Sequence, residues 1–288
     1  MDLCDIGQIR ALLSGLGFRF SKSMGQNFLT AAWVPKRIAD EAGLDEQAGV
    51  LEVGPGVGCL TVELSKLAGK VVAVELDRAL APVLEETLKD CENTNVVFGD
   101  VLKLNLTEMV SEKFAGLKPV VCANLPYNIT SPLISAFIEA NCFESMTLMV
   151  QREVAHRICA KAGTSDYGAF TVYTNWYTEP EILFDVSPDC FMPAPKVWSS
   201  VIKLRVRSEP PVMVTDEKLF FAVVRASFNQ RRKTLVNALT SGLTGYSKET
   251  LGSVIASCSF DPLIRGEVLD IAGFASVANS LAKLKIGK

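Results

Sequence analysis

An apolar run that breaks into three closely spaced glycines and resumes at helical spacing constrains this chain more than any other stretch. It reads Leu51-Glu52-Val53-Gly54-Pro55-Gly56-Val57-Gly58, followed by Leu60, Leu64 and Leu67. A strand feeding a tight turn and then a helix N-terminus builds a nucleotide-type pocket, because glycine lets backbone approach a ligand closely. The spacing is Gly-x-Gly-x-Gly, which departs from the Gly-x-Gly-x-x-Gly of dinucleotide binders. Two further runs, Val71 to Asp77 and Asn95 to Val101, read as buried parallel strands ending in acids. In open α/β sheets, ligands sit outside the carboxyl ends of the strands. A carboxylate closing the second run is placed to accept from both ribose hydroxyls. Asp100, closing the third, can accept from an adenine amine.

A fourth run, Val120-Val121-Cys122-Ala123, leads into Asn124-Leu125-Pro126-Tyr127. A strand followed by a proline turn would account for the residue types alone. Their order also suits a socket for a planar amine such as the exocyclic N6 of adenine. That lone pair is delocalised into the ring and is a poor nucleophile until acceptors hold both N–H groups. The Asn124 side-chain oxygen and the Leu125 carbonyl can be those acceptors. Pro126 stiffens the bend, having a fixed φ and no donor, and Tyr127 offers a ring for stacking.

A chain of 288 residues, 49% of them hydrophobic, can build one large domain and a small one. The apolar stretches are too short to span a membrane, so no membrane partner is expected. The opening residues, Met1-Asp2-Leu3-Cys4-Asp5, lack the basic region and apolar core of a secretory signal, which points to the cytoplasm. Eight cysteines include no Cys-x-x-Cys pair and there is one histidine, so no metal is expected and the thiols should be reduced.

The net charge of −3 is unevenly spread: residues 1–215 carry 19 Lys+Arg and 26 Asp+Glu, whereas residues 216–288 carry 10 and 6. A basic tail can grip phosphate regardless of the total. Ser208-Glu209-Pro210-Pro211 follows the strand-like run Val201 to Val206 and reads as a linker. The expected division is therefore 1–208 and 209–288, with residues 1–45 a helical N-terminal segment. Beyond the linker, Leu219, Phe220, Val223, Val224 and Ser227 recur at helical spacing, and the next helical stretch is expected to carry Arg231-Arg232-Lys233. His156 lies in a charged helical segment and is expected on a helix face rather than in catalysis.

In the order of these parts the chain resembles the class I S-adenosylmethionine-dependent methyltransferases. In detail it resembles the ribosomal RNA adenine N6,N6-dimethyltransferases of the small subunit. Gln26-Asn27-Phe28-Leu29 looks like that family's entry motif, Glu52 to Gly58 like its glycine loop, and Asn124 to Tyr127 like its catalytic tetrapeptide. Phe191-Met192-Pro193-Ala194-Pro195-Lys196-Val197 resembles its Phe-x-Pro-x-Pro-Lys-Val loop, and Phe228 to Leu235 its basic signature. Trp198 stands where an acid is usual, and so does His156.

The resemblance implies a Rossmann-like α/β domain with a mostly parallel sheet, and a small all-helical C-terminal domain. It implies S-adenosyl-L-methionine contacted by Asn27 and Leu29, with Gly54 and Gly56 beneath it, Glu75 on its ribose, and Asp100 with Val101 at its adenine. Asn124 to Tyr127 would act on the target base, with Phe191 sandwiching it against Tyr127 once it has left its stack. Arg231, Arg232 and Lys233 would contact RNA. The implied substrate is a pair of adjacent adenosines near the 3′ end of 16S rRNA in an immature small subunit, each methylated twice by a monomer. Three other readings stay open: a large-subunit (23S) rRNA adenine methyltransferase, a nicotinamide-dependent dehydrogenase, and a catalytically idle ribosome assembly factor.

Overall fold

The computed structural model describes residues 1–17 and 27–286. Gln26 of the entry motif lies outside the described residues. The chain divides into two compact units: residues 1–155 with 179–206, and residues 156–178 with 207–288.

The first unit is α/β. Among the described residues, nine strands, β1 (Phe28–Leu29), β2 (Ala48–Val53), β3 (Lys70–Glu75), β4 (Thr94–Phe98), β5 (Lys118–Asn124), β6 (Ser145–Gln151), β7 (Thr178–Val186), β8 (Phe191–Met192) and β9 (Ser199–Val206), fall almost wholly within it. Seven form one sheet in the order β4-β3-β2-β5-β6-β9-β7. Strands β4, β3, β2, β5 and β6 are mutually parallel, and β9 runs antiparallel to β6. Every residue of the interior strand β2 is buried, as expected of a strand covered on both faces. The order steps outward from β2 to β3 and β4 and then returns to β5. That reversal opens a crevice at the carboxyl ends. Strands β1 and β8 make a separate antiparallel pair in which Leu29 lies opposite Phe191.

Helices α1 (Ile6–Gly15), α2 (Trp33–Ala42), α3 (Cys59–Ser65), α4 (Ala81–Thr87), α5 (Leu106–Lys113) and α6 (Thr130–Ala140) belong to this unit, and α7 (Arg152–Ile158) leaves it at its C-terminal end. Local chemistry fixes several boundaries. Gly43 ends α2 at a φ of 67°, and the Asn105 side chain caps α5 by accepting from the Glu108 N–H at 3.2 Å. Apolar clusters fill the unit. One holds Leu29, Val34, Ile38, Val50, Leu64, Cys122 and Phe191; another joins Ile9 and Leu13 of α1 to Phe28, Val57, Leu80 and Leu84.

The second unit is helical: α8 (Ala169–Tyr177), α9 (Glu217–Asn229), α10 (Leu235–Gly242), α11 (Lys248–Ser257) and α12 (Ile271–Ile286). Leu219, Phe220, Val223, Val224 and Ser227 of α9 are all buried, the face that their spacing predicts. The division differs from the expected boundary at residue 208. Residues 156–178 join the helical unit because Tyr167, Val172 and Trp176 pack into its core with Phe220, Leu239, Ile255 and Phe274. The basic triplet also differs from expectation: α9 ends at Asn229, and Arg231, Arg232 and Lys233 occupy the turn before α10.

Candidate active site

A cavity of about 190 Å³ opens at the carboxyl ends of β2, β3, β4 and β5. Its lining brings together Asn27, Gly54, Gly56, Glu75, Asp100, Val101 and the whole of Asn124 to Tyr127, ten residues named from sequence alone. They come from five separate chain segments, so it is the fold that assembles them.

The glycine loop supplies the floor. Gly54 and Gly56 have φ of 70° and 61°, in the left-handed region that side chains avoid. A Cβ on Gly54 would point into open space, whereas one on Gly56 would lie 3.1 Å from the Phe28 ring. Phe28 itself lines the cavity.

Glu75 ends β3 and is 6% exposed. One carboxylate oxygen accepts from the Asp77 N–H at 2.8 Å, and the other lies 3.4 Å from the Gly56 N–H. Burial raises its pKa, opposed by those two backbone donors. Both carboxylate oxygens are thus oriented by backbone donors. Asp100 caps the turn that follows β4 by accepting from the Leu102 N–H at 3.1 Å, with Lys103 Nζ at 3.6 Å.

The Asn124–Tyr127 bend is anchored from behind. The Leu125 N–H donates to the Met149 carbonyl at 3.1 Å, and the Leu125 side chain is 1% exposed. The Pro126 carbonyl accepts from Thr130 Oγ1 at 3.1 Å and from the Ile129 N–H at 3.2 Å. The Tyr127 hydroxyl and Ser199 Oγ are 2.5 Å apart. Burial raises the pKa of the phenol, and the Ser199 hydrogen bond opposes this. Among the described residues, no protein donor engages the Asn124 side chain or the Leu125 carbonyl.

Two expected members are elsewhere. Leu29 and Phe191 are each 4% exposed and packed in the same apolar cluster, opposite one another in the β1–β8 pair. Neither lines the cavity. Side chains alternate along a strand, so the Phe28 ring goes to the glycine loop and the Leu29 side chain to the core beneath. Phe191 follows Leu29 through their pairing and does not face Tyr127 across the cavity. His156 is exposed in the last turn of α7 and is not a lining residue. Arg231 donates to the carbonyls of Ser165 and Tyr167 at 2.9 and 3.1 Å and to Glu267 at 3.2 Å, so it braces the helical unit. Arg232 and Lys233 are exposed.

Sequence reasoning missed Ser199, Asn128 and Ile129. The last two continue the bend past Tyr127, and their adjacency was the available sign. Ser199 lies 72 positions from Tyr127 and meets it through the pairing of β9 with β6, which nothing local announces.

A mostly parallel sheet carrying positive-φ glycines, a strand-end carboxylate and a proline-braced amide bend at one crevice defines a nucleoside-handling α/β enzyme domain of the methyltransferase class. The family described as ribosomal RNA adenine dimethylase matches residues 17–260. A ribosomal RNA small subunit methyltransferase A of Geobacillus kaustophilus is 45% identical over 287 residues, 98% of each chain. One of Bacillus mycoides is 43% identical over 289 residues, 99% of each chain. Among solved structures, a dimethyladenosine transferase of Plasmodium falciparum is 26% identical with a TM-score of 0.74, covering 90% of this chain and 98% of that one. The 23S rRNA methyltransferase ErmE is 27% identical with a TM-score of 0.68, covering 89% and 100%. This chain belongs to the ribosomal RNA adenine dimethylase family.

Proposed function

We propose that this chain methylates N6 of adenosines in small-subunit ribosomal RNA, twice per base, using S-adenosyl-L-methionine. The observation that carries the reading is the Asn124–Tyr127 bend opening onto the same crevice as Gly54, Gly56, Glu75 and Asp100. The crevice fits this cofactor: a Cβ at Gly54 would occupy open space, Glu75 is held by backbone as a ribose acceptor, and Asp100 stands at the next strand end. Asn27, Gly54, Gly56, Glu75, Asp100, Val101 and Asn124 would hold it. When bound, it supplies a methyl carbon made electrophilic by a positively charged sulfur.

The protein's own contribution is to the nucleophile. In the first transfer Asn124 Oδ1 and the Leu125 carbonyl accept the two N6 hydrogens, which localises the lone pair and directs it into the cavity; in the second, on a secondary amine, one of the two acceptors holds the single N–H that remains. The Tyr127 ring stacks on the base, and its hydroxyl bond to Ser199 keeps it in place. No strong general base is required, because the N6 proton becomes acidic only as the new bond forms and can leave to solvent. Alignment of this kind can supply about 7 to 11 kcal/mol. Leu29 and Phe191 support the site from the core beneath.

Arg232 and Lys233 are exposed and can meet RNA phosphate. The small-subunit assignment is favoured over the large-subunit one because relatives bearing the former name are 45% identical, against 27% for ErmE. By resemblance the substrate is a pair of neighbouring adenosines near the 3′ end of 16S rRNA in a partly assembled subunit, and the enzyme a monomer.

Mass spectrometry of 16S rRNA after incubating under-methylated small subunits with protein and cofactor should show dimethyladenosine. Asn124→Ala should abolish transfer while leaving S-adenosylmethionine affinity within a few-fold. Full activity in that variant refutes the proposed role of the bend.

A further inference from the structure

Trp198 is a large aromatic left 44% exposed. Its backbone is held in place: the Arg152 N–H donates to the Trp198 carbonyl at 2.9 Å. The Arg152 guanidinium lies 5.7 Å from the indole centroid, within cation–π range. The next residue, Ser199, pairs with Gln151 at the carboxyl end of β6 and is the one that holds the Tyr127 hydroxyl. One residue step, about 3.8 Å, therefore separates the Trp198 backbone from the group that fixes the stacking ring of the bend. Lys196 and Arg152 are both exposed.

Val197 beside it is also 40% exposed, so two adjacent apolar side chains that burial would favour are left facing solvent next to a guanidinium. A flat apolar face beside a guanidinium, with an exposed lysine two positions back in the chain, matches an unpaired nucleotide, whose base stacks and whose phosphate is attracted. An apolar protein segment would gain nothing from the guanidinium. We propose that Trp198, steadied by Arg152, is a stacking subsite for an unpaired nucleobase flanking the target adenosine, and so sets the affinity for the RNA context. The proposal rests on the RNA-methyltransferase reading above.

The test compares Trp198→Ala and Trp198→Phe with the unaltered protein. Methylation kinetics are measured on under-methylated small subunits, and binding on a single-stranded oligoribonucleotide carrying two adjacent adenosines, by fluorescence anisotropy. Trp198→Ala should raise KM for the subunit and Kd for the oligonucleotide about ten-fold, with kcat and S-adenosylmethionine affinity within two-fold. Trp198→Phe should recover most of the loss. Unchanged KM and Kd overturn the proposal. A fall in kcat and cofactor affinity with KM unchanged also overturns it, as that marks a structural role. A loss confined to subunits, with oligonucleotide binding intact, marks a ribosomal protein as the partner instead. Should the unaltered protein fail to methylate small subunits, the parent reading fails, and the oligonucleotide arm still decides whether Trp198 binds a base.

Discussion

The Tyr127 ring can serve as a stacking surface only if its plane is fixed, and two constraints fix it. Pro126 restricts the backbone just before it, and the Tyr127 hydroxyl meets Ser199 Oγ at 2.5 Å. Ser199 is fully buried, so removing its hydroxyl strands the phenol without a partner in a largely dry setting. Losing such a bond costs about 1 to 3 kcal/mol of stability, and it also frees the ring to leave its plane. Ser199→Ala should lower kcat roughly ten-fold, with little change in cofactor affinity. Tyr127→Phe removes the same bond from the other side and keeps the ring. The double variant should then be no slower than the worse single one, since both delete one interaction. Multiplicative losses in a double-mutant cycle would mean that the two residues act separately.

At the scale of elements, the glycine loop separates conformational strain from contact. Gly54 and Gly56 share a positive φ, but only Gly56 faces a neighbour, the Phe28 ring at 3.1 Å from an added Cβ. An alanine at either position meets a backbone penalty of about 1 to 2 kcal/mol. Gly56→Ala must also displace Phe28, which links the loop to α1 through Ile9 and Leu13. Calorimetry should therefore show weaker S-adenosylmethionine binding in both variants, and thermal unfolding a lower Tm for Gly56→Ala than for Gly54→Ala. Equal Tm values would remove Phe28 from the account.

These elements also show what a sequence discloses. The strands β2 to β5 were legible because each is a short apolar run closed by glycine, acid or proline, and their common carboxyl edge follows from parallel topology. The α9 face was legible from its period. Phe191 was misplaced because a phenylalanine between turn residues reads the same whether it faces a ligand or pairs with Leu29 across β1 and β8. The union of residues 156–178 with the helical unit depends on Trp176 meeting Phe220, with ring centroids 4.2 Å apart. Contacts that long in sequence have no local pattern. Arg231 had the composition of a phosphate ligand and proved to be a brace, because its acceptors at 165, 167 and 267 are distant in the chain.

For the molecule as a whole, the most consequential group is one that touches no ligand. Glu52 is in the interior strand β2, 1% exposed, and its Oε2 has no hydrogen-bond partner among the described residues. Burial raises its pKa from 4.5 to about 8, opposed by Thr61 and reinforced by the nearby Glu75 carboxylate. Below about pH 4.5 the folded and unfolded chains both carry this proton. Between there and about pH 8 the unfolded chain has released it and the folded chain keeps it, so stability falls as pH rises, and the contribution is gone above that range. At about 1.4 kcal/mol per pH unit, the loss amounts to a few kcal/mol, a large part of what holds a domain together. Glu75, also raised by burial, adds to the slope in the same direction. Glu52→Gln replaces the acid with a neutral isostere. Its urea midpoint should match that of the unaltered protein near pH 5, exceed it at pH 8, and vary less with pH in between. The residual slope belongs in part to Glu75, and an unchanged slope would mean that Glu52 is ionised in the folded state.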